Sequence, residues 1–195
     1  VTFLPNGEYV VRPLTISQAR IRELSSNLML FYTGIKRTAS DVASSYVTDL
    51  KSKARQLRIM QNMVEEGLNI VAGNGSMHDL GELLNEGWEC KKSLGPAISN
   101  PDVDRMYSTA QEAGAVGGKL VGAGGGGFML LLVPPERQAD VQAALTGHLH
   151  IPFSFQPAGS EIIFYDVEQE YLDAEQARLL QPAPVFRELK RNGKS

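Results

Sequence analysis

Lys119-Leu-Val-Gly-Ala-Gly-Gly-Gly-Gly-Phe128 decides how this chain is read: five glycines fall within Gly122 to Gly127, and the apolar run Phe128 to Val133 follows at once. Ordering a glycine costs backbone entropy, so a dense cluster between two apolar segments marks a backbone that must turn sharply or lie close to a ligand. Gly122-Ala123-Gly124-Gly125-Gly126-Gly127 formally satisfies the dinucleotide fingerprint G-x-G-x-x-G, but that fingerprint belongs between a strand and a helix. Here the glycines are followed by Phe-Met-Leu-Leu-Leu-Val and then Pro134-Pro135, a short apolar run closed by breakers, which reads as a buried strand. A Walker loop is excluded as well, because its lysine and hydroxyl stand after the glycines and Lys119 stands before them. The bland alternative is a plain hairpin turn, although ordinary hairpins manage with one or two glycines.

The segments on either side supply the fold. Before the loop, Gly118 to Val121 reads as a strand, and further back Asn27-Leu-Met-Leu-Phe-Tyr-Thr-Gly34 is an apolar strand ended by glycine. Between them, Val42, Tyr46, Leu50, Ala54, Leu57, Met60 and Val64 recur at steps of three and four and predict a long helix over about 39–66, with Gly67 as its stop. Ser76-Met-His-Asp79 has capping-box spacing and opens a helix carried by Leu80, Leu83, Leu84, Trp88 and Leu94. Asn100-Pro101-Asp102 supplies an N-cap, a first-turn proline and a first-turn acid for a helix closed at Gly114. After the loop come the strand 128–133, a helix over about 136–149 and a strand from Glu161 to Asp166. Glu8 to Ser17 alternates as an extended lead-in behind the Asn6-Gly7 turn, with a short helix from Ser17. From Leu28 onward the order is β-α-β-β-α-β, so the expected class is α+β with a ferredoxin-like core and an enlarged, multi-helix first crossover.

Composition narrows the function. At 195 residues, 43% of them hydrophobic, the chain can bury one sizeable core. A net charge of -3 lacks the positive excess of a dedicated nucleic-acid binder. The lone Cys90 rules out an internal disulfide framework and favours a cytosolic setting. No apolar stretch approaches the roughly 20 residues of a membrane span, so no membrane partner is expected. His78, His148 and His150 show no metal-ligand spacing, and no metal site is assigned.

Lys119 to Phe128 resembles the third signature motif of the GHMP small-molecule kinases. Leu30-Phe-Tyr-Thr-Gly-Ile-Lys-Arg-Thr-Ala-Ser40 resembles the strand and turn that face the substrate in their C-terminal domain. Trp88-Glu-Cys-Lys-Lys92, Ile98-Ser-Asn-Pro-Asp-Val-Asp104 and Gly114-Ala-Val-Gly-Gly-Lys119 look most like the D-glycero-D-manno-heptose 7-phosphate kinase branch. The resemblance covers about 1–166. It implies a C-terminal domain over 1–167, with 1–26 as a lead-in from the domain junction and 168–195 as a tail. It further implies transfer of the ATP γ-phosphoryl group to the anomeric hydroxyl of the heptose phosphate.

The family's own phosphate loop, P-x-x-x-G-L-G-S-S, and its acidic residue belong to an N-terminal domain and are not in this sequence. ATP and Mg²⁺ are therefore expected chiefly on that domain, no catalytic group is assigned here, and the chain alone is expected to be inactive. Its start at Val1 rather than methionine is in keeping with a fragment or a processed product.

Within this chain the resemblance places the loop Gly122, Ala123, Gly124, Gly125, Gly126 and Gly127 at the active site, where glycine amides can form an anion-binding concavity. Thr33, Gly34, Arg37, Lys91 and Lys119 are the substrate-side candidates. Arg37 is the first choice for a phosphate contact, because a guanidinium presents a planar fork. Thr38 and Ser40, like Thr33, stand where hydroxyls can contact the sugar, but capping of the long helix by Thr38 or Ser40 is the preferred reading. For Lys91 and its neighbour Lys92 a solvated face stands beside the substrate role, and for Lys119 a surface ion pair does. The competing class is a non-catalytic ferredoxin-like module that binds a phosphorylated small molecule or a protein.

Overall fold

A computed structural model describes residues 1–35, 52–122 and 126–155, together with Gln176 and Leu180. The strand expected over 161–166, the first part of the long helix, and Arg37, Thr38, Ser40, Ala123, Gly124 and Gly125 lie outside the described residues. Most of the expected tail does too. Among the described residues the sheet strands are β3 (Leu28–Tyr32), β4 (Gly117–Val121), β5 (Phe128–Leu132) and β6 (Leu149–His150), and all neighbours are antiparallel in the order β4-β5-β3-β6. The first and third strands of the four are central, as a ferredoxin-like chain requires. The glycine loop is the β4–β5 hairpin.

Ahead of the sheet, β1 (Thr2–Phe3) and β2 (Tyr9–Val10) form a two-residue hairpin around Asn6-Gly7. The longer strand expected over 8–17 does not form: among the described residues β2 has only β1 to pair with, and Pro13 has no N–H to donate. Helix α1 (Gln18–Ser26) is capped by the Ser17 hydroxyl, which accepts from the Arg20 N–H at 3.1 Å.

Among the described residues three helices fill the crossover: α2 (Ala54–Ala72), α3 (Met77–Lys92) and α4 (Pro101–Glu112). Both expected caps form. Ser76 and Asp79 make the reciprocal capping box, and the Asn100 side chain accepts from the Asp102 and Val103 amides. Gly67 is not a stop. Helix α2 runs five residues further because its end is satisfied from elsewhere: Arg20 donates to the Ile70 carbonyl at 2.6 Å, to Val71 at 3.3 Å and to Gly75 at 2.6 Å. Ile70 and Val71 carry two of the orphan acceptors that every helix C-terminus must place.

The helix expected over 136–149 is also shorter. A 3-10 turn at Pro135–Arg137 leads into α5 (Gln138–Ala144), and the chain then turns into β6. His150 is therefore a strand residue, paired with Phe31, and its ring lies 5.1 Å from that of Phe31.

Strand periodicity sorts the core onto two faces. Met29, Phe31, Leu120, Met129 and Leu131 pack with Val103, Met106 and Ala110 of α4 and Val141 of α5, all at most 3% exposed. Leu28 and Leu132 lie on the opposite face with Met77 and Leu80 of α3. Helix α3 reaches both clusters, because it runs against edge strand β4 so closely that a Cβ on Gly117 would overlap the Gly81 carbonyl oxygen. Trp88, 1% exposed, then enters the first cluster against Tyr107, with ring centroids 6.4 Å apart. Residues Val1–Phe155 form one compact unit; beyond it, Leu180 donates its N–H to the Gln176 carbonyl at 3.2 Å.

A candidate phosphate and substrate site at the glycine loop

The loop enters and leaves in glycine-only backbone, with Gly122 at φ +112° and Gly127 at φ +93°. Its return limb is sewn to the turn that ends β3. The Gly127 N–H donates to the Ile35 carbonyl at 2.8 Å, and the Thr33 N–H and hydroxyl both donate to the Gly127 carbonyl at 2.9 Å. The Ile35 N–H in turn donates to the Thr33 hydroxyl oxygen at 3.3 Å. A Cβ on Gly126 would stand 2.5 Å from the Ile35 carbonyl oxygen, so only glycine allows the two backbones to meet.

These bonds assign tasks. The Gly127 amide is already spent and is not an anion donor. Thr33, 8% exposed, has committed its hydroxyl proton to the loop and positions it.

Thr33 and Gly34 open onto a cleft of about 450 Å³ whose other walls include Arg105, Thr109 and His148. Arg105 is held by Asp102 at 2.7 Å, one helical turn earlier. Sequence reasoning missed Arg105 and gave His148 no role. The one available signal was Asn100-Pro101, which fixes where α4 begins and so which residues face its N-terminal end.

Lys91 and Lys119 do not share that cleft. They border a separate, largely apolar cavity between α2 and α3, lined by Met63, Leu83, Leu84 and Trp88 among others. Burial first, and then the Lys119 charge, hold the Lys91 amine below the usual lysine range. Lys92 is tied to the surface instead, 2.7 Å from Glu89 and 5.8 Å from the Trp88 ring centre.

On α3, Asn85 accepts from the Tyr107 hydroxyl at 2.8 Å and from Gln111 at 3.1 Å. Burial first, then the Glu89 charge, push the Tyr107 phenol up, and the Gly118 backbone pulls the other way. The folded state thus holds this proton more tightly than the unfolded chain, whose tyrosine titrates near about pH 10. The associated stability is complete below that pH and is lost as pH rises through the raised folded value. Urea midpoints are expected to fall above about pH 10, and Tyr107→Phe should flatten that fall; an unchanged pH profile in the variant would contradict the assignment.

Among the described residues no cluster of three or more His, Cys, Asp or Glu side chains is placed to hold a metal, and no helix is long and apolar enough to cross a membrane.

The profile of the family described as GHMP kinases C terminal matches residues 59–151, a span that runs from α2 through the loop to β6. The fold over those residues is that of a GHMP kinase C-terminal domain. The chain is 29% identical over 145 residues to D-glycero-alpha-D-manno-heptose 7-phosphate kinase of Campylobacter jejuni, a match covering 73% of this chain and 42% of that protein. A putative sugar kinase from Campylobacter jejuni superposes with a TM-score of 0.52 at 28% identity, over 80% of this chain and 44% of that one. The mevalonate kinase of L. major, solved with R-mevalonate, superposes with a TM-score of 0.59 at 20% identity, over 73% and 43% of the two chains, and shows the shared fold. The chain thus spans less than half the length of those relatives.

Proposed function

We propose that the chain is the substrate-side part of an ATP-dependent sugar kinase. Joined to an N-terminal GHMP domain, it phosphorylates the anomeric hydroxyl of D-glycero-D-manno-heptose 7-phosphate in the cytoplasm. The γ-phosphoryl group passes to that oxygen, the hydroxyl proton is released, and heptose 1,7-bisphosphate and ADP leave. Such transfer rests on positioning and on stabilising spread negative charge. ATP with Mg²⁺ supplies the phosphoryl group, and both are held chiefly by the N-terminal domain.

In this reading the loop around Gly122 to Gly127 backs the phosphates, the Thr33–Gly34 turn fixes the loop, and Arg37 holds the 7-phosphate. Lys91 and Lys119 open on the other cavity. The observation that carries the reading is the stitched contact between loop and turn, which joins the phosphate side to the substrate side. The identity to a heptose 7-phosphate kinase supports the choice of sugar.

The test is phosphoryl transfer from ATP to the heptose phosphate by this chain alone and by the chain fused to an upstream GHMP domain. Activity in the fusion alone is expected, and Gly126→Ala should lower its kcat at least tenfold while the fold survives, given the roughly 1–3 kcal/mol that such overpacking costs. Inactivity of both samples, with tight sugar-phosphate binding by the chain alone, would favour the non-catalytic module instead.

A further inference from the structure

Helices α2 and α3 pack antiparallel without closing on each other. Their register is set by Gly67 facing Leu83, Gly87 facing Met63 and the Cys90 thiol 3.6 Å from the Gln56 carbonyl. Between them lies a cavity of about 260 Å³. Two features work against stability there. A glycine inside a helix costs roughly 1 kcal/mol relative to alanine, yet added Cβ atoms would find ordinary contacts, 3.5 Å from Leu83 at Gly67 and 3.7 Å from Met63 at Gly87. Packing therefore does not demand these glycines; their absent side chains keep the space open. The second feature is charge. The Lys91 and Lys119 amines repel one another at the Trp88 end of the cavity, and among the described residues neither has a carboxylate in ion-pair contact.

We propose that the α2–α3 cavity binds a small amphipathic carboxylate, its apolar body between Met63, Leu83 and Leu84 and its head group between Lys91 and Lys119. The volume, somewhat under the roughly 300 Å³ where drug-sized pockets begin, suits one short alkyl chain or a single ring. An anion placed there turns the lysine repulsion into two attractions, and its body fills space that the glycines leave empty. A sugar phosphate meets the charge but not the walls. The site is independent of the phosphoryl-transfer reading, with which it shares no residue.

The probe is sodium octanoate, titrated into the whole chain by calorimetry and followed by the emission of Trp88, which borders the cavity and is the single tryptophan. Saturable one-to-one binding is expected, at least tenfold tighter than that of 1-octanol or inorganic phosphate. Lys91→Met and Lys119→Met together should weaken it about tenfold or more, the usual scale for losing a charge-assisted contact. Gly87→Val should block it by filling the space. Equal binding of octanol, equal binding of phosphate, or full affinity in the double variant would each overturn the proposal. Should the double variant fail to fold, the comparison of octanoate, octanol and phosphate on the unaltered chain decides alone.

Discussion

Gly117→Ala is expected to cost about 3 kcal/mol or more, the upper end of what overpacking exacts, because what the new methyl meets is backbone. Its Cβ would overlap the Gly81 carbonyl oxygen and crowd the Gly81 carbonyl carbon at 2.9 Å and the Asn85 amide nitrogen at 3.0 Å. A side chain can rotate away; a helix carbonyl cannot. Helix α3 would have to lift from β4, and with it go Leu80 from one core cluster and Trp88 from the other. Against a typical total of about 5–15 kcal/mol, that loss leaves a marginal domain. Urea unfolding measures it, with Gly147→Ala as the control, since nothing lies within 4 Å of a Cβ there. A Gly117→Ala midpoint equal to that of the control would refute the close approach.

Trp88→Ala should cost about 3–5 kcal/mol, the range for deleting a large buried aromatic. The ring is 1% exposed and packs against Tyr107, so its removal opens the main core as well as the wall of the apolar cavity. Trp88→Phe should cost much less. Among the described residues the indole Nε1 has no hydrogen-bond partner, and phenylalanine keeps an aromatic ring while deleting that orphan donor. Thermal unfolding of both variants checks the order, and a Phe variant as damaged as the Ala variant would mean that the Nε1 group is engaged after all.

What could be read from the sequence was whatever is settled within a few residues. Ser76 and Asp79 form their box three positions apart, Asn100 caps amides two and three positions on, and the strands around the glycine loop announce themselves by composition. The ferredoxin-like order followed from those elements.

What escaped was settled across the fold. Helix α2 passes Gly67 because Arg20, 50 residues upstream, satisfies its far end. Gly117 was visible as a glycine, but the reason for it is Gly81 on another element. The candidate site divided in the same way. Loop and turn were legible as neighbours through a family pattern, whereas the parting of Lys91 and Lys119 from Thr33 depends on α3 lying along β4, which no local spacing encodes. Arg105 went unnoticed because a charged residue on a helix gives no sign of which cleft its face will line.

Thr33 and the glycine loop that it holds are 94 residues apart in the chain. During synthesis at about 5–20 residues per second, the strand that ends in Thr33 must wait roughly 5–20 s before its partner emerges. For that interval the apolar residues of Leu28–Tyr32 lack the β5 strand that pairs with them along their whole length. Polar Thr33 and flexible Gly34 at the strand's end keep this waiting edge short, which limits what another nascent chain could pair with.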